Sequence, residues 1–73
     1  MSPMITELLT HLEVAIEDHP EDATDFDLVC FAIEQVGDDP DSQVSEADYG
    51  WLCSSEGNAL GQRLLDALRR VPS

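Results

Sequence analysis

Lysine is absent from this 73-residue chain, and its three basic residues are Arg63, Arg69 and Arg70. Against those cations stand 16 Asp and Glu, which leaves a formal net charge of −13. Such a chain is repelled by a duplex and by an anionic lipid surface, so direct nucleic-acid or membrane binding is excluded. Long hydrophobic runs are missing as well. The longest, Leu28 to Ile33, is six residues, where a membrane span needs roughly 18. No basic segment leads into an apolar stretch at the N-terminus, so the chain is expected to be soluble, unprocessed and cytoplasmic. Two cysteines, Cys30 and Cys53, are too few for a disulfide scaffold. With no CxxC or Cys/His spacing they read as small buried hydrophobes and not as zinc ligands. There is no nucleophile elbow, phosphate loop or histidine motif, and the acids are too many for any pair to stand out. The chain is therefore not expected to be an enzyme, and no cofactor or metal is implied.

What is present suffices for a fold. Leu, Ile, Val and Phe make up 19 of the 73 residues, above the roughly 20% below which a charged chain stays unfolded. The core of so short a chain is small and the acids repel one another, so salt is expected to stabilise it.

The pattern is helical throughout. Ser2 before Pro3 is an N-cap followed by proline at the first helical position. Ile5, Leu8, Leu9, Leu12 and Ile16 then form one stripe, and Pro20 ends it. Thr24 and Asp27 have capping-box spacing ahead of Phe26, Leu28, Val29, Cys30, Phe31, Ala32, Ile33 and Val36, with Gly37 as the stop. The six-residue apolar run also fits a buried strand, but the cap and closing glycine favour a helix. Residues 37 to 44 are turn chemistry. Ser45 and Asp48 open a third short helix with Ala47, Tyr49, Trp51 and Leu52, ending near Ser54, with Trp51 in the core. Ser55 then caps a fourth, carrying Leu60, Leu64, Leu65, Leu68 and Val71, with Arg69 and Arg70 in a last turn that suits cations. The expected fold is a single all-α domain, residues 1–73, built as a compact bundle of three to four short helices.

The acid is distributed unevenly: the first 62 residues hold 15 acids and no Lys or Arg. Glu7, Asp25, Asp27, Glu46, Asp48 and Glu56 fall in expected first turns, where the helix dipole favours an anion. Glu17, Asp18 and Glu34 fall in last turns, where it does not. Glu21, Asp22, Asp38, Asp39 and Asp41 lie in loops with no cation beside them, and Glu13, Glu17 and Glu21 repeat at four-residue spacing. Acid placed repeatedly against local preference points to a function. Carboxylates clustered on a scaffold present a field like that of a phosphate backbone, so the expected partner is a protein with a basic, nucleic-acid-binding surface. The expected contact residues are Glu13, Glu17, Asp18, Glu21 and Asp22, with Asp38, Asp39 and Asp41 as a second patch. By analogy of class, small acidic phage proteins that block restriction enzymes, repair enzymes or CRISPR effectors act in this way; no family motif accompanies the analogy. Three rival readings carry different signatures. A halophile's acidity would serve only solvation. An ordinary interaction module would bind through the apolar surface around Tyr49 to Leu52. A degenerate EF-hand would place Asp39, Asp41 and Asp48 at loop positions 3, 5 and 12, although Gly37 and Ser42 stand where its first carboxylate and central glycine belong. His11 and His19 read as ordinary surface histidines.

Overall fold

Residues 2–18 and 23–71 are described by a computed structural model. Pro20, Glu21, Asp22 and His19 lie outside the described residues, as does Pro72. Four helices follow one another: α1 (Pro3–Asp18), α2 (Asp25–Asp38), α3 (Glu46–Leu52) and α4 (Ser55–Arg70). All described regular structure is helical, so the Leu28 to Ile33 run is helix and not strand.

Each helix begins on a hydroxyl. Ser2 Oγ accepts the Ile5 N–H at 3.4 Å, Thr24 Oγ1 that of Asp27 at 3.1 Å, and Ser45 Oγ that of Asp48 at 3.2 Å. These satisfy amides that have no partner in the first turn. The fourth cap is Ser54 and not Ser55: its Oγ accepts the Gly57 N–H at 3.3 Å. Because α3 stops at Leu52, Ser54 has the extended backbone that a cap requires, and Ser55 is already helical. The second expected stop also shifts. α2 continues through Gly37 to Asp38, and Gly37 has no positive φ. Its lack of a side chain serves packing instead, since a Cβ there would lie 2.6 Å from the Tyr49 ring.

The core consists of Leu8, Leu12 and Ala15 from α1, Leu28, Val29, Ala32, Ile33 and Val36 from α2, Leu52 from α3 and Leu65 from α4. Helix geometry explains which apolar residues it omits. At 3.6 residues per turn, Leu8, Leu12 and Ala15 stay within a narrow strip, whereas Ile16 is rotated about 80° from Leu8 and is 37% exposed. In α3, Leu52 faces inward, and Trp51, one step earlier, is 38% exposed; a seven-residue helix has one buried face, and Leu52 and Tyr49 occupy it. Val71 follows the last turn and is also exposed. Packing of α1 against α2, and of α4 against both, gives a radius of gyration of 11.5 Å, close to the roughly 11 Å of a compact chain this long.

Two buried glycines in α4 permit that packing. A Cβ at Gly61 would meet Val29 Cγ1 at 2.4 Å, and one at Gly57 would meet the Leu52 backbone at 2.3 Å. At these points α4 lies directly on α2 and on the end of α3.

Candidate functional site

Helix α1 carries the first acidic set. Glu13, Glu17 and Asp18 are all exposed, in a helix with no base in its last turn. Glu13 and Glu17 stand one above the other, about 6 Å apart along the axis. Asp18 lies on another flank, shared with His11 seven residues earlier. Glu21 and Asp22, which complete this set in the sequence, lie outside the described residues.

The second set sits on the connection from α2 to α3 and is tied to the middle of α1. His11 Nε2 lies 3.7 Å from Asp39 Oδ2. Four residues on, the Gln43 N–H donates to Glu7 Oε2 at 2.8 Å. Asp39 is half-buried, and its other oxygen accepts the Asp41 N–H at 2.9 Å. Asp39 is therefore engaged within the chain, whereas Asp38 and Asp41 are exposed. These ties place the connection about 10 Å along α1 from Asp18, on the same flank. The two sets meet the surface as separate clusters along one helix.

The same geometry bears on the EF-hand pattern. Asp39 folds back onto its own connection and Asp48 belongs to the first turn of α3. Among the described residues no group of three or more His, Cys, Asp or Glu converges as metal ligands do.

Glu7 was expected in a first turn, serving the helix dipole. The first turn of α1 holds no acid, and Glu7 instead fastens the α2–α3 connection, with its Oε1 buried and unpartnered. Nothing in the spacing signals a contact across 36 residues. Glu7→Ala is expected to speed hydrogen exchange at the Gln43 amide at least tenfold and to lower stability by about 1 kcal/mol. Unchanged exchange at Gln43 would show that the tie is absent in solution.

The cations do not neutralise these sets. Arg69 is paired with Asp25 at the start of α2, and Arg70 with Asp66 within α4 at 2.9 Å. Both pairs are exposed and contribute little; among the described residues no arginine, Arg63 included, pairs with a carboxylate of α1 or with Asp38 or Asp41.

A second surface includes part of the Tyr49 to Leu52 region that the sequence singled out as apolar, and joins it to residues of α2 and α4 that the sequence did not connect with it. A groove of about 420 Å³ opens where α2, α3 and the start of α4 meet, lined by Phe26, Cys30, Ile33, Tyr49, Leu52 and Cys53 among others. Cys30 is half-buried and Cys53 exposed, so the expected pair of buried thiols is not found; both are free. Burial pushes the Cys30 thiol above its usual value, and the carboxylates of Asp27 and Glu34 add to this, partly offset by a hydrogen bond from Asn58. Burial likewise raises Tyr49, as do its hydrogen bond with Cys53 and the charges of Asp38 and Glu34. The groove is apolar, and anions act on it from its edges.

Compared with protein-family models, with curated proteins and with solved structures, the chain matches none. Among the described residues no helix is long and apolar enough to cross a membrane.

Proposed function

We propose that this protein is an acidic inhibitor that occupies the basic, nucleic-acid-binding surface of another protein. The role is binding and not catalysis. The observation that carries the reading is the exposed carboxylate set of α1, Glu13, Glu17 and Asp18, none of which is paired with an arginine among the described residues. Asp38 and Asp41 extend the negative field along the flank of α1. Asp39 takes part as the residue that holds their connection in place. Lysine or arginine side chains of the partner would pair with these groups, with arginine able to grip a carboxylate through two hydrogen bonds. Long-range attraction would speed the encounter and make it sensitive to salt.

The test is capture of partners from a cell lysate on the immobilised protein, with elution along a salt gradient. The expected result is a nucleic-acid-binding protein, released at moderate salt and displaced by its own DNA or RNA. The variant E13Q/E17Q/D18N should capture at least tenfold less of it. A partner that resists salt, or is held equally by the variant, overturns the reading.

A further inference from the structure

We propose that the groove between α2, α3 and the start of α4 is a docking site for a basic amphipathic helix of a partner protein, with apolar side chains in the groove and Lys or Arg at its edges. Three features of the groove support this. Its floor is apolar, formed by Ile33 and Leu52, with Phe26 at its edge still 57% exposed. An aromatic left this open, next to a concave apolar surface, is the usual composition of an anchor site for an inserted side chain. Its volume, about 420 Å³, lies within the range of roughly 300–1,000 Å³ for ligand-binding clefts.

The charge at the rim selects the occupant. Glu34 lines the groove, and Asp27 and Asp38 stand close enough to act on Cys30 and Tyr49. No arginine is among the lining residues. An anionic rim around an apolar floor disfavours an acidic segment, and a second copy of this chain, at −13, would bring mainly like charge. It favours a helix with apolar residues at three- and four-residue spacing and cations on either side of that stripe. A lipid surface, commonly anionic, is disfavoured for the same reason.

This site is independent of the carboxylates of α1, since no α1 residue lines the groove, and the test separates the two. The full-length protein, labelled with ¹⁵N, is titrated at physiological salt with three synthetic 14-residue peptides: leucine and lysine at helical spacing, serine in place of each leucine, and glutamate in place of each lysine. The leucine–lysine peptide is expected to bind saturably, with shifts concentrated at residues 26–34 and 49–58. The serine–lysine peptide should bind at least tenfold more weakly, and the leucine–glutamate peptide should not bind. Phe26→Ser and Glu34→Lys both alter exposed side chains and leave the core intact. The first should weaken binding about tenfold and the second severalfold, while E13Q/E17Q/D18N leaves the site of the shifts unchanged. Shifts spread over α1, equal affinity for the two lysine peptides, or an unchanged affinity in Phe26→Ser would overturn the proposal. So would concentration-dependent self-association abolished by Phe26→Ser, which would make the occupant a second copy of the chain.

Discussion

Alanine at Gly50 and alanine at Gly57 should move stability in opposite directions. Both glycines are helical and seven residues apart, so composition and propensity treat them alike. At Gly50 an added Cβ meets nothing within 4 Å. There the substitution removes only backbone freedom from the unfolded chain, and stability should rise by about 0.5–1 kcal/mol. At Gly57 the Cβ would lie 2.3 Å from the Leu52 carbonyl oxygen, and 2.4 Å from both Leu52 Cα and the Trp51 carbonyl oxygen. Those are backbone atoms, which cannot rotate aside as a side chain can. The junction of α3 with α4 must open, which loosens the buried Leu52 and displaces the Ser54 cap. The expected cost is about 3 kcal/mol or more, a large share of the roughly 4–11 kcal/mol available to a domain this small. Urea unfolding followed by circular dichroism measures both. If Gly57→Ala is as stable as the parent, α3 and α4 do not meet as described.

The second large effect concerns charge. Glu17 and Asp18 lie in the last turn of α1, where the negative end of the helix dipole opposes them, and Glu13 lies one turn before Glu17. Neutralising all three in E13Q/E17Q/D18N should raise stability by about 1 kcal/mol in low salt. Raising sodium chloride from about 0.02 M to about 0.5 M shortens the screening length from roughly 20 Å to roughly 4 Å. The parent should gain several degrees in Tm over that range and the variant less, so that the two converge. A residue kept for partner binding at the expense of stability has this signature. A variant less stable than its parent, or a gap between them that widens with salt, would mean that these carboxylates support the fold. A parent that folds only above molar salt would instead favour the halophile reading.

The local features were legible in the sequence because they depend on neighbours a few residues away. Ser2, Thr24 and Ser45 cap helices where their spacing to the first-turn amides requires it. Leu8, Leu12, Val29, Val36 and Leu65 are core residues because apolar periodicity at 3.6 residues places them on one face. The candidate site was legible only as a set of residue types. That α1 is acidic follows from its composition. That Asp39 is engaged by His11, and Glu7 by Gln43, does not, since each contact joins segments 28 or 36 residues apart.

Sequence alone thus pointed to an all-helical bundle of three to four segments and determined the surplus of negative charge, all properties of short-range periodicity and composition; the structure settled the count at four and the Leu28 to Ile33 run as helix. Tertiary structure decided the rest: that Trp51 faces solvent, that Gly37, Gly57 and Gly61 are contact points and not merely weak helix formers, and that Phe26, Cys30 and Cys53 border one groove. The reason is steric. How closely two helices approach, and which residues their crossing leaves uncovered, depends on the volumes of side chains that are distant in sequence.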